Sequence, residues 1–247
     1  MAQYGSKWTD AETILAFYYY CRIPFGRIHQ RNPEIIRIAG LLGRTPSSVA
    51  LKMCNLAHYD PDQQKRNIKG LSNASKTDKE IVARFFANWE ELTYEAERIE
   101  TQLTAGQEPM FPAGLTVDQS IKARVNQDFF RDAVLSSYQE KCCITGINVP
   151  SLLIASHIKP WRDSDPETER TNPHNGLCLN ALHDRAFDQG LITVLPDYTI
   201  RVSSTIDRQR EANSWLIRCD KQKIELPNKF VPEKLFLEYH NDVIYIP

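Results

Sequence analysis

The sequence predicts an α+β protein, with a helical first third, a long linking helix, and a C-terminal part where short strands precede a helix. Three observations carry this. Apolar residues recur at helical spacing, behind capping residues, through about residue 103. Gly and Pro then cluster in "TAGQEPMFPAG" and break the chain. Beyond that break, "SLLIASHI" and "NGLCL" read as strands, "NALHDRAFDQG" as a helix, and "LITVLPDYTIRVS" as a hairpin. The expected domains are residues 1–72, 73–117 and 118–247.

The helices follow in order. "WTDAETILAFYYYCRI" opens with Thr9 three residues before Glu12, the reciprocal pair that caps a helix start. After "PFGRIHQRNP", Pro33 and Glu34 begin a helix that carries Ile35, Ile38, Ala39 and Leu42 at helical spacing and ends at Gly43. Thr45 and Pro46 stand where an N-cap and first helical residue belong, and open "PSSVALKMCNLA". Two short helices joined by "GRT" make a helix-turn-helix-like pair, with Ser47, Ser48, Lys52 and Asn55 facing outward. Arg44, Ser47, Ser48 and Lys52 are the candidate DNA contacts there. A helical bundle that binds protein, or binds nothing, fits the same pattern.

"DPDQQKRNIKGLSNASK" reads as a linker or extended arm. Thr77 with Glu80 signals the next helix start, and "DKEIVARFFANWEELTYEAERIETQL" reads as one long helix. Its stripe of Phe85, Trp89, Leu92, Ala96 and Ile99 suits a packed spacer, with a homodimer seam as the alternative.

Composition narrows the class. An apolar share of 42% and a charged share of 25% are those of a globular protein. No run approaches the roughly 18 apolar residues of a membrane span. The N-terminus shows no basic-then-apolar signal, so a cytoplasmic location is expected. The six cysteines form no C-x-x-C pair, which favours reduced thiols. The net charge of −1 hides a polarity: residues 1–72 carry 10 Lys/Arg against 5 Asp/Glu, while residues 73–118 carry 4 against 9. A basic first third suits a polyanion, and equally a solvated surface.

Chemistry concentrates downstream. His157 ends the first strand, Asn175 starts the second, and His183 lies early in the helix behind it. "ASHIKPW", "NPHNGLCLNALHDRAFDQGLITV" and the upstream "FFRDAVLSSYQEKCCITG" resemble the HNH, or ββα-metal, endonuclease family, in the branch found among bacterial restriction enzymes. The resemblance covers roughly residues 119–205. It implies a ββα-metal nuclease domain that hydrolyses phosphodiester bonds in double-stranded DNA with a divalent metal cofactor, magnesium first and manganese as a substitute. Hydrolysis needs a proton acceptor matched to neutral pH, which suits His157 as general base. Asn175 matches the family residue that steadies the base or its loop, and His183 the last-histidine metal ligand. Lys159, Arg162 and Arg185, with Arg170, are the candidate phosphate contacts.

The sequence also departs from the family pattern. Many members carry Asp or His just before the base as a metal ligand; here that residue is Ser156. Asp184 and Asp188 are the nearest carboxylates, about 100° and about 140° round an ideal helix from His183. Asp188 is taken as the second metal ligand, against a structural hydrogen bond to the loop. Structural zinc is not expected, because Cys142-Cys143-Ile144-Thr145 lacks the second cysteine of a knuckle. His29, His58, His174 and His240 are read as having no catalytic part, and Trp161 as packing the loop. The leading function is a restriction-like, metal-dependent DNA endonuclease with the N-terminal domain recognising DNA. Its rivals are a non-catalytic DNA-binding regulator and a nuclease module targeted by a partner.

Overall fold

The computed structural model describes residues 6–66, 75–104 and 117–247, with side chains from residue 124 onward in the last stretch. Residues 67–74 of the expected linker, and the Gly/Pro break after Thr104, lie outside the described residues. The chain divides into two compact units, Met1–Ala133 and Val134–Pro247.

The first unit is helical. It holds α1 (Asp10–Arg22), α2 (Pro33–Leu42), α3 (Pro46–Ala57), α4 (Pro61–Lys65), α5 (Lys76–Phe86), α6 (Trp89–Thr104) and the start of α7 (Val117–Ser137). Every residue of α1 from Thr13 to Cys21 is buried. A helix covered on all sides belongs at a centre, and α3, α5 and α6 pack against α1. Phe17, Trp89 and Phe129 form the ring cluster of this core, with centroids 6.4 Å and 6.2 Å apart. The Thr9–Glu12 capping box forms as the sequence predicts. Between α2 and α3, Gly43 takes the left-handed conformation (φ 62°) that lets one helix stop and the N-cap of the next, Thr45, follow two residues later.

Several readings of this region change. The expected long helix is two helices. Asn88 interrupts it, its Oδ1 accepting the Glu91 amide at 3.0 Å as a new helix start. The apolar stripe of α6 faces its own unit: Leu92, Ala96 and Ile99 are buried. The α5 capping box is Ser75 with Asp78, in place of Thr77 with Glu80. Asp60 caps α4 inside the stretch read as linker.

Arg44 and Lys52 do not face outward. Arg44 is buried, its guanidinium on Glu12 at 2.7 and 2.8 Å and on the Lys7 carbonyl at 2.9 Å, over the Trp8 ring. Lys52 is buried on Asp78. Desolvated cations need such partners, so both serve the packing of α3 and leave Ser47 and Ser48 as the surface residues of that set.

The second unit carries two antiparallel strand pairs. Strand β1 (Leu153–His157) pairs with β2 (Gly176–Asn180), setting His157 opposite Gly176. Strand β2 is buried throughout and runs into α8 (Ala181–Asp188) with no loop, because Asn180 caps the helix: its Oδ1 accepts the Leu182 and His183 amides, both at 3.1 Å. Helix α8 packs on both strands. Then β3 (Ile192–Val194) pairs with β4 (Ile200–Val202). The short helices α9 (Ser214–Ile217) and α10 (Lys234–Tyr239) precede a π-helical turn, His240–Ile244. Gly190 (φ 68°) ends α8 where a Cβ would lie 2.1 Å from the Ile244 carbonyl oxygen, so the C-terminal turn packs on bare backbone.

Candidate active site

His157 closes β1, and its Nε2 lies 2.9 Å from the Arg170 carbonyl. A carbonyl only accepts, so Nε2 carries the proton and Nδ1 the lone pair. Burial pushes the imidazole down to about 4, partly offset by that hydrogen bond. The ring is therefore neutral at physiological pH. Trp161 sets its edge against it, with centroids 5.6 Å apart.

Asn175 is fully buried and works on the loop after His157. Its Oδ1 accepts the Lys159 amide at 2.8 Å, while its Nδ2 donates to the Lys159 carbonyl and Ser164 Oγ, each at 3.2 Å. Its own carbonyl accepts the Ile158 amide at 2.9 Å. One amide thus ties the residues following the histidine to the start of β2. Arg170 is spent on the same loop, donating to the Trp161 and Ser164 carbonyls at 3.1 Å each. Lys159 pairs with Glu169 at 2.6 Å.

A cleft of about 580 Å³ opens here, lined by Ser156 and His157 of β1, by Trp161 and Arg162 of the loop, and by Asp184 and Asp188 of α8. Arg185 also lines it, as do His240 and Ile244 of the C-terminal turn. Asp184 and Asp188 are four residues apart and share a helix face. Burial raises the carboxyl of each; the charge of Asp184 raises Asp188 further, and Arg185 opposes both shifts. Ser156 Oγ is near enough to Asp184 to favour its ionised form, though short of a well-formed hydrogen bond. Arg162 extends into solvent, its side chain 80% exposed.

His183 sits behind this face. Its Nδ1 lies 3.2 Å from Asn180 Oδ1, and Trp215 packs edge-on with centroids 5.3 Å apart. Bonding to an amide oxygen puts the proton on Nδ1, and the remaining Nε2 is buried with no hydrogen-bond partner. Burial lowers the basicity of this ring too. His183 does not line the cleft, whereas Asp184 does. The remaining histidines divide. His174 is buried in the loop beside Asn172 and Phe230. His240 is stacked on Phe187 with centroids 3.7 Å apart.

Residues 142–195 match a family model described as HNH endonuclease. The C-terminal unit carries an HNH domain. No curated protein matches the chain. The match runs from Cys142 to the end of β3 and takes in His157, Asn175, His183, Asp184 and Asp188. It stops short of the C-terminal turn, so His240 and Ile244 complete the cleft wall from outside the matched HNH segment. A domain of this family suggests a nuclease acting on DNA.

HNH nucleases generally use a divalent ion, and the residues present fit one. An orphaned buried imidazole nitrogen, held in the tautomer a metal ligand needs, calls for a partner such as an ion or water. Two cleft carboxylates offer the oxygen donors a hard cation takes. Among the described residues no three His, Cys, Asp or Glu side chains form a group that could hold a metal ion. Magnesium does not require one, since it keeps several waters and uses one or two carboxylates with phosphate oxygens.

Measured from His183, neither Asp184 nor Asp188 falls on the same helix face, yet both line the cleft. The i, i+4 spacing of Asp184 and Asp188 is the sequence signal that pairs them. No described helix is long and apolar enough to cross a membrane.

Proposed function

We propose that the chain is a metal-dependent DNA endonuclease that hydrolyses phosphodiester bonds at the HNH cleft. The observation that carries the reading is a neutral imidazole with its lone pair on Nδ1, in one cleft with two carboxylates and two arginines.

In this account His157 takes a proton from water as it attacks phosphorus, the bond from phosphorus to the 3′-oxygen breaks, and that oxygen takes up a proton. Asn175 does not touch the reacting atoms; it positions His157 by fixing the loop from Lys159 to Glu169. Asp188 and Asp184 would hold the divalent ion in the cleft, magnesium first and manganese as a substitute; His183 lies behind their helix face and would not share it. When bound, such an ion polarises the scissile phosphate and stabilises charge on the leaving oxygen. Arg162 and Arg185 would bind the phosphates flanking the cut. Lys159 contributes less, because Glu169 already neutralises it. Backbone contacts of this kind carry no sequence information, so the N-terminal unit would supply recognition, in a restriction-like role in the cytoplasm. A blunt or short-staggered double-strand cut would favour a homodimer, since one cleft has one base.

The second reading, a non-catalytic DNA-binding protein, draws on Ser156, a weak ligand where other members carry Asp or His. Supercoiled plasmid incubated with Mg²⁺ or Mn²⁺, and again with EDTA, separates the two. The nuclease reading expects metal-dependent nicking that falls by about 10²–10⁴ in His157→Gln while DNA binding is kept. Cleavage unchanged by that substitution, or none in the wild type with either ion, would defeat it.

A further inference from the structure

The HNH match ends at Leu195, yet the wall of the cleft does not. Two consecutive residues from the far end of the chain, Tyr239 and His240, reach its two sides. Tyr239 ends α10, and its ring centre lies 5.3 Å from Lys159 Nζ, in the loop that follows His157. His240 opens the π-helical turn and meets α8, the helix that carries Asp184 and Asp188.

His240 is buried, and both of its ring nitrogens are engaged. Nε2 lies 3.2 Å from the Phe187 carbonyl, which only accepts, so Nε2 carries the proton. Burial keeps the ring neutral, pushing it down to about 4. Nδ1 therefore holds the lone pair and accepts the Thr193 hydroxyl at 2.8 Å. The ring also stacks on Phe187, 13° from parallel. Thr193 is fully buried in β3, so the imidazole is pinned between the helix and the strand that follows it.

These contacts fall at the helix end. Asp188 is the last residue of α8, directly after Phe187. Helix ends leave carbonyls without intrahelical partners, and they fray. Here the Phe187 carbonyl takes the Gly190 amide at 2.9 Å as well as His240 Nε2. The Ile246 amide donates to the Gly190 carbonyl at 3.0 Å, and Ile244 packs on the bare Gly190 backbone. A carboxylate that binds an ion must be held within about 0.5 Å of its place. Asp188 is exposed, so that order comes from the backbone that carries it.

We propose that His240 is a positioning residue of the cleft: it fixes the end of α8, and with it Asp188, in the geometry that receives the divalent ion. His240 does not touch the reacting atoms. The proposal rests on the nuclease reading for the role of Asp188 as a ligand. Its test titrates Mn²⁺ alone into the full chain, without DNA, by isothermal calorimetry well below the melting temperature. His240→Phe keeps a stacked ring and loses both nitrogens. Losing an outer-shell partner costs about 10–100-fold in metal affinity, and the lower end is expected here because His240 acts through the backbone. His240→Gln returns an N–H near the Nε2 position and should recover most of the affinity.

The control for instability is Lys52→Met, which should melt lower and bind Mn²⁺ as the wild type does. Thr193→Val removes the hydroxyl that holds Nδ1 and should weaken Mn²⁺ binding by a smaller factor; it serves if His240→Phe does not fold. Wild-type affinity in His240→Phe, or in Thr193→Val where the first variant does not fold, would overturn the proposal. So would His240→Gln binding as weakly as His240→Phe, or an equal loss in Lys52→Met. Failure of the nuclease reading looks different. A chain that binds Mn²⁺ with these differences among its variants, yet nicks no plasmid, would sink that reading and leave the positioning role standing. A wild type that binds no Mn²⁺ would sink both.

Discussion

The two units treat charge in opposite ways. In the first, desolvated charges are matched: Lys52 with Asp78 and Arg44 with Glu12, with Asp78 and Glu12 also serving as capping residues. In the HNH cleft, charge is matched only in part, by Arg185. Asp184 and Asp188 stand on one helix face, the charge of Asp184 raising Asp188, and burial holds His157 neutral; behind that face the His183 Nε2 is buried with no hydrogen-bond partner. Paired charges fix an architecture. Unpaired ones keep free energy available for a ligand, and perturbed groups gathered in a cleft are a signature of function.

This contrast can be broken first on its structural side. Lys52→Met leaves Asp78 buried without its cation, and should destabilise the chain by about 3–5 kcal/mol in urea unfolding while metal binding at the cleft is unaffected. A loss below about 1 kcal/mol would mean that the pair behaves as a surface contact.

A smaller effect comes from two histidines of the second unit. His157 and His240 are both pushed down to about 4 by burial. Above pH 6.5 neither state binds the proton. As pH falls below 6.5 the unfolded chain takes it up and the native one does not, so stability declines until about pH 4 and no further. By pH 5 this amounts to about 1–2 kcal/mol for each histidine. Urea midpoints at pH 7, 6 and 5 should fall in step, and His240→Leu should flatten the decline. A stability independent of pH over that range would show the rings to be solvated.

Much of this was legible in the sequence, where local rules act alone. Thr9 with Glu12, and Gly43 before Thr45 and Pro46, rest on contacts within a few residues, and each element of the strand–strand–helix order around His157 and Asn175 shows in its own local pattern, although β1 and β2 pair across 19 to 27 positions. What escaped depends on distance or on helix phase. Arg44 meets Glu12 across 32 positions, and Lys52 meets Asp78 across 26; nothing in the local pattern of α3 announces either partner. The break between α5 and α6 had a local signal in Asn88 followed by Glu91, which the continuous apolar stripe masked. At the site, Asn180 joins β2 to α8 without a loop and so sets the helix phase. That phase turns Asp184 and Asp188 toward the cleft and His183 behind it, a choice no spacing rule could make without the joint.

The smallest change in stability carries the most direct test. Asp184→Asn/Asp188→Asn removes two like charges that Arg185 offsets only in part, so without metal the melting temperature should hold or rise by a few degrees. In the wild type, millimolar Mg²⁺ or Mn²⁺ should raise the melting temperature through binding to the folded state, and in the double variant that rise should vanish together with plasmid nicking. A variant that melts far lower without metal, as Lys52→Met should, yet keeps its response to the ions would contradict the account, because the two carboxylates would then be architecture and the cleft's remaining charge would have no ligand.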